Sequence, residues 1–148
     1  SWAPGTCPAI FTTKASLQTA VQAYNTDPAD AIATYGPIAE WDVSAITDMR
    51  SLFRGFQNFN ADISNWDTSK VTNMAYMFAE AKAFNQPLTF DTSSVTNMGN
   101  MFWWASAFNQ PLSFDTSKIT NMGYMFYSTP SLSDANKLRI RCAWADTS

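Results

Sequence analysis

An aspartate that recurs at a regular interval is the residue of this sequence best suited to chemistry. In four successive segments it stands two residues before a serine, at Asp42, Asp67, Asp91 and Asp115, with the serines at Ser44, Ser69, Ser93 and Ser117. Carboxylate oxygens bind hard cations such as Ca²⁺, and a pair of carboxylates can hydrolyse a glycosidic bond. Because every segment repeats the same aspartate, a structural role is favoured over catalysis, and we predict that the chain is not an enzyme.

These carboxylates need stabilisation if the segments stack on one another. Carboxylates about 4.8 Å apart repel each other unless they are hydrogen-bonded or bridged by a cation. Each could accept hydrogen bonds from backbone N–H groups of its own Asp-x-Ser turn, or the column could bind calcium. No glycine-rich calcium-loop spacing accompanies the aspartates. The turn is therefore favoured, and neither a metal site nor a cofactor is predicted.

The composition excludes several classes of function. The 148 residues are 46% hydrophobic and 14% charged, with a net charge of −3 and no histidine. So few positive charges argue against a nucleic-acid partner. The absence of histidine from the sequence excludes His-based catalytic triads and His zinc sites. No apolar run approaches the roughly 20 residues that span a bilayer, so no membrane insertion is predicted.

Two features near the ends of the chain bear on its compartment. The sequence starts at Ser1 rather than Met, as a mature secreted protein or a trimmed chain would, and we predict a secreted or extracellular-surface location. Cys7 and Cys142 lie near opposite ends. They are either two free thiols or one long-range disulfide, and a disulfide requires the two segments to meet.

The middle of the chain consists of four repeats of about 24 residues. They begin at Trp41, Trp66, Phe90 and Phe114. Further columns keep the same phase: Met49, Met74, Met98 and Met122; Phe53, Phe78, Phe102 and Phe126; Phe59, Phe84 and Phe108; Ile63, Leu88 and Leu112. A unit of this size cannot bury its apolar face alone, so stacked units are expected to share one core of these side chains.

Each repeat contains two different periodicities. Leu88, Phe90 and Thr92 alternate as in a short strand, while Val95 to Ala105 has its apolar residues at helical spacing. We therefore predict an α/β repeat fold, a short right-handed solenoid with one parallel strand and one short helix per turn. The predicted organisation is an N-terminal loop and helical cap at 1–37, four repeats at 38–130 and a C-terminal helical cap at 131–148.

The cap helices have their own signals. Lys14 to Asn25 has apolar residues on one helical face. Asp27-Pro28 is typical of the start of a second helix and Gly36 of its end. Ser131 or Ser133 is expected to cap the last helix.

The motifs WDxS, VTNM, MF and FN occur in this order in the repeats and resemble BspA-like leucine-rich repeats, also described from mycoplasma surface lipoproteins. The resemblance extends from Leu17 to Phe126. It implies a leucine-rich-repeat-like solenoid on secreted or surface proteins, often with a role in adhesion, and no catalytic residues. Phe90 and Phe114 replace the tryptophan of WDxS, a change that a stacked core should tolerate.

The outer face of the predicted helices is the first candidate binding surface. Tyr76, Asn100 and Tyr124 form one outward column, and Ala79, Trp103 and Tyr127 form another, with Trp104 beside them. Aromatic faces stack on sugar rings or anchor protein partners, so the predicted ligand is a surface protein or a glycan. Alternatively, another segment of the chain covers these residues, or a homodimer buries them.

The second candidate is the regular strand face. It comprises Thr89 with Asp67, Asp91, Asp115, Ser69, Ser93 and Ser117. Together with the threonine columns at 68, 92 and 116 and at 72, 96 and 120, it could match ice or a crystalline polysaccharide. Threonine also simply suits strands and caps at such positions. A non-catalytic adhesion domain is the main prediction; crystal-surface binding and a structural spacer are the alternatives.

Overall fold

The computed structural model describes residues 7–146. Within this range the chain forms three α-helices: α1 at Lys14–Thr26, α2 at Pro28–Tyr35 and α3 at Asp134–Ala145. A single 3₁₀ turn at Ile38–Glu40 leads into the first repeat. The helices coincide with the segments predicted to be helical at the two ends of the chain, and the repeats lie between them.

The N-terminal helices form where their capping residues stand. The Thr13 side chain accepts a hydrogen bond from the Ser16 N–H at the start of α1. Asp27 caps α2 by accepting from two backbone N–H groups, with Pro28 in the first turn, as the sequence predicted. Gly36 ends α2 at a φ of 76°, a left-handed conformation that glycine adopts without strain. One face of α1, formed by Leu17, Ala20 and Val21, is buried in the core.

The predicted fold class is wrong. Within residues 7–146 the repeats contain no α-helix and no strand. The only β-structure between them consists of isolated parallel bridges: Asp48 to Asn73, Asn73 to Asn97 and Asn97 to Asn121. The chain is therefore not an α/β leucine-rich-repeat solenoid with a parallel strand and a short helix per turn.

A run of tight turns takes the place of the predicted helix. In the third repeat, Asn100 and Trp104 both have φ near 58°, a left-handed conformation that an α-helix cannot accommodate. The N–H groups of Met101 and Trp103 donate to carbonyls three residues earlier. The N–H groups of Asn100, Phe102 and Trp104, which alternate with them, donate to carbonyls of the next repeat. Every tight turn is thereby tied to its neighbour along the stack.

The predicted strand fails for a different reason. Burial alternates as expected, with Leu88, Phe90 and Thr92 buried and the residues between them exposed. However, Pro87 and Pro111 have no N–H to donate, and the Thr92 hydroxyl donates to the Asp115 carbonyl at 3.0 Å. Side-chain hydrogen bonds therefore join these extended segments, where a sheet would use a backbone ladder.

The repeats share one core in which equivalent rings lie in register. Phe78 and Phe102 stack with centroids 5.5 Å apart and planes 5° apart, and Phe102 and Phe126 follow at 5.8 Å. Trp41 and Trp66 stack in the same way at 6.4 Å. This spacing explains the missing helices, because helices that pack side by side need about 8–10 Å between their axes.

An asparagine ladder along one edge of the stack was not predicted. The Asn85 N–H donates to Asn60 Oδ1, and the Asn109 N–H donates to Asn85 Oδ1, both at 2.9 Å. The Ser133 N–H then donates to Asn109 Oδ1 at 3.0 Å. Ser133 is also the N-cap of α3, so the last helix is attached to the ladder that joins the repeats.

The two cysteines near the ends of the chain do not form a disulfide. Cys7 and Cys142 are both free and exposed. At the C-terminal end of the stack, Trp144 of α3 lies on Phe126 with ring centroids 6.1 Å apart.

Candidate functional site

The six residues predicted for an aromatic binding surface lie on the turns of the second to fourth repeats. Tyr76, Asn100 and Tyr124 occupy the same position in successive repeats, and each has a left-handed backbone with φ between 55° and 59°. Tyr124 and Tyr127 are 72% and 54% exposed. The N–H groups of Tyr76 and Asn100 donate to carbonyls of the following repeat. These bonds fix the backbone while the side chains remain partly accessible.

Five of the six predicted residues line one open pocket of about 410 Å³. Its walls are Tyr76, Asn100, Trp103, Tyr124 and Tyr127, together with Arg54. We call this pocket the aromatic groove. Tyr124 and Tyr127 meet edge to face, with centroids 6.0 Å apart.

Two neighbours of the aromatic groove differ from the expectation. Trp104 is 48% exposed and touches Trp103 at a centroid distance of 5.4 Å, but it does not line the groove. Ala79, placed in the outward column with Trp103 and Tyr127, is fully buried. The prediction for Ala79 is therefore wrong, and the outer column is accessible only in the other repeats.

Arg54 is the groove residue that the sequence reasoning missed. Its guanidinium carbon lies 5.1 Å from the centre of the Tyr76 ring, which is cation–π distance. It also forms an exposed ion pair with Glu80 at 3.4 Å. The signal was present, because Arg54 occupies in the first repeat the column of Trp103 and Tyr127.

The recurring aspartates are hydrogen-bonded within their own turns. Asp67 Oδ1 accepts from the Ser69 N–H at 3.0 Å and from the Ser69 hydroxyl at 2.6 Å, and Asp91 bonds Ser93 with the same distances. These hydrogen bonds lower the pKa of both carboxyls below the ordinary value, and the bond from the serine hydroxyl has the larger effect. Of the two alternatives for this column, the structure shows the Asp-x-Ser turn.

No metal site accompanies these carboxylates in the part of the chain that the structure describes. Across residues 7–146, no group of three or more histidine, cysteine, aspartate or glutamate side chains is arranged to hold an ion.

Most hydroxyl groups of the regular face donate their protons inside the protein. Thr89 Oγ1 donates to the Ser64 carbonyl at 3.1 Å, and Thr68 is buried and bonded to the Asp91 carbonyl. The exposed threonine column at 72, 96 and 120 also donates within the protein, since Thr96 Oγ1 donates to the Thr72 carbonyl at 3.2 Å. These hydroxyls thus stabilise the stack of repeats.

Comparison with known families places the chain. The family model described as "Mycoplasma protein of unknown function, DUF285" matches residues 15–138. The chain belongs to this family. The DUF285 family is related to BspA-like repeat proteins. Searches of curated proteins and of solved structures gave no match.

The segment matched by the DUF285 model contains all four repeats and every residue of the aromatic groove. Within residues 7–146 of this DUF285 chain, no helix combines the length and apolar character that a membrane crossing requires.

Proposed function

We propose that this chain is a secreted or cell-surface, non-catalytic binding domain of the BspA-like type that recognises a surface glycan. One observation carries the proposal: the aromatic groove brings together four aromatic side chains, one amide and one guanidinium on neighbouring repeats. Arg54 and Asn100 supply hydrogen-bond donors, and the rings supply apolar faces.

This combination suits a hydroxyl-rich ligand with apolar ring faces. A sugar ring can stack on an aromatic face while its hydroxyls accept hydrogen bonds from an amide or a guanidinium. The groove lies within the volume range of small-ligand sites. Because its residues come from four successive repeats, an extended glycan could contact several of them at once. A surface protein is the competing partner.

The predicted compartment supports such a ligand. The resemblance to adhesion repeats implies an extracellular location, where glycans are accessible. A homodimer that buries the groove remains a prediction from sequence. It would compete with glycan binding, because both would cover Tyr124 and Tyr127.

A glycan array with a double variant tests the proposal. Tyr124→Ala with Tyr127→Ala removes two exposed rings and should leave the melting temperature nearly unchanged. We expect affinity to fall at least about tenfold, since truncating central aromatic contacts commonly costs 2 kcal/mol or more. Leu138→Ala, which removes an exposed apolar side chain of α3 outside the groove, is the matched control and should bind like the parent chain.

Two results would contradict the proposal. Unchanged glycan binding by the double variant would remove the aromatic groove as the site. Binding only to protein components of a cell surface, lost in the double variant, would assign the groove to a protein partner. Crystal-surface binding stays an untested prediction and is not proposed, because the hydroxyls of that face donate within the protein.

A further inference from the structure

The last repeat and α3 line a second open pocket at the C-terminal end of the stack, and it shares no lining residue with the aromatic groove. Phe53, Phe78 and Phe102 are fully buried, because a neighbouring unit covers each of them. Phe126 is only half-buried, since no further repeat follows it in the described chain and Trp144 covers part of its ring. A pocket of about 430 Å³ remains beside Phe126. We call it the terminal pocket.

The walls of the terminal pocket are mostly apolar. Leu132 and Ile140 are each 4% exposed, and together with Phe126, Trp144 and Thr129 they form its floor and sides. Small-ligand sites are typically 300–1,000 Å³, mainly apolar, with a few polar groups that orient the ligand. The terminal pocket has this volume and this composition.

Besides Thr129, the polar groups of the pocket are Lys137 and Arg141, two exposed cations of α3. Lys137, Ile140, Arg141 and Trp144 follow the spacing i, i+3, i+4 and i+7, so they share one helical face. All four line the pocket. An amphipathic helix would normally have apolar residues at every such position, and α3 has two positive charges there.

Little negative charge neutralises these cations. The contact of Lys137 with Asp134 is long, at 3.4 Å, and exposed, with Asp134 fully in solvent and the Lys137 side chain 56% exposed. Among the described residues, no acidic side chain forms an ion pair with Arg141. This local excess of positive charge contrasts with the net charge of −3 of the whole chain. Charge complementarity therefore favours an anionic occupant.

We propose that the terminal pocket binds a small amphipathic carboxylate, with its aliphatic or aromatic body against Phe126, Ile140 and Trp144. Its carboxylate accepts hydrogen bonds from Arg141 and Lys137 at the rim. The proposal is independent of the aromatic groove. The competing explanation is that both cations only cover apolar surface with their methylene stems while their charges remain in water.

Titration of the full chain with decanoate, below its micelle concentration, tests this site. Decanoate should bind saturably and shift the NMR signals of the Trp144 indole and the Ile140 methyl groups. Arg141→Gln should weaken binding about tenfold, since a charge-assisted hydrogen bond is lost. Arg139→Gln removes the same charge from an exposed position of α3 that does not line the pocket, and it should bind like the parent chain.

1-Decanol has the same apolar chain as decanoate but no carboxylate, so it should bind more weakly than decanoate. The proposal is overturned if decanol binds equally well, if the two glutamine variants lose affinity equally, or if no saturable binding occurs. Concentration-dependent dimerisation that shifts the same Trp144 and Ile140 signals without decanoate would show that a second copy occupies the pocket, and would also overturn it.

Discussion

Replacing Phe102 by alanine tests whether the ring stack is the main source of stability. Phe102 is fully buried and contacts three rings, with centroids 4.0 Å away at Phe108, 5.5 Å at Phe78 and 5.8 Å at Phe126. Truncation removes all three contacts and leaves a cavity. Changes from phenylalanine to alanine in protein cores cost about 3–5 kcal/mol.

The structure favours the upper part of that range. A cavity costs less when its neighbours can move into it. Here the Phe102 N–H is bonded to the Met125 carbonyl, and the Phe78 N–H to the Met101 carbonyl. These bonds fix the distance between repeats, so the flanking rings cannot approach each other. We expect a loss of about 4–5 kcal/mol in the free energy of unfolding.

Equilibrium unfolding in urea measures this loss, provided that the slope m stays unchanged. Phe102→Leu keeps most of the apolar volume and should cost much less. Phe126→Ala should also cost less, because Phe126 is only half-buried. A loss below about 1 kcal/mol for Phe102→Ala would refute the reasoning, since a fully buried stacked ring cannot be removed so cheaply.

Three further predictions concern the turns. Ser93 lowers the pKa of Asp91. The contribution of this carboxylate to folding stability is therefore complete above the unfolded pKa of about 3.9 and is lost as the pH falls through the folded pKa. Ser93→Ala should raise the pKa of Asp91 in an NMR titration and leave the pKa of Asp67 unchanged. Asn85→Ala removes the acceptor of two inter-repeat hydrogen bonds and should cost about 1–3 kcal/mol in urea unfolding; a similar loss for Asn85→Asp, which keeps the acceptor, would contradict this. Trp104→Gly should keep or slightly raise the melting temperature, because a left-handed backbone costs L-residues roughly 1–2 kcal/mol and this side chain is half exposed; a clear drop would show that its packing outweighs the strain.

Features that depend on neighbouring residues were predictable from the sequence. Asp27, Pro28 and Gly36 mark the limits of α2 because caps and breakers act over one helical turn. The buried columns of phenylalanine and methionine were predictable for a related reason. A regular repeat places equivalent side chains in equivalent environments wherever a neighbouring repeat covers them, so a column of large apolar residues forms the shared core. The prediction is wrong for Met122 in the last repeat, which is 38% exposed.

The secondary structure inside the repeats was not predictable in the same way. A series of tight turns buries a residue every three or four positions, as a helix does, so Met98, Met101 and Phe102 fit both structures. The difference lies in the positive φ of Asn100 and Trp104. Neither residue is a glycine, and only Gly55, in the column of Trp104, indicated a left-handed position.

The candidate site was predicted in part for the same physical reason. Outward columns are recognisable because they vary while the core columns do not, which identified Tyr76 and Tyr124. Whether a given outward residue is accessible depends on its neighbours in the fold, so Ala79 was placed wrongly. Arg54 was not predicted because its column was recognised by the aromatic residues of the later repeats, Trp103 and Tyr127.

The left-handed turn positions explain how this repeat can carry a variable binding surface. At Ser51, Tyr76 and Asn100 the backbone N–H donates to the next repeat, and each side chain remains partly exposed. The backbone therefore holds the turn whatever the side chain is, and the position needs no particular residue to pack the core. Serine, tyrosine, asparagine and tyrosine succeed one another in this column without a change of fold. Exchange of Tyr124 for another residue should accordingly alter ligand choice far more than stability.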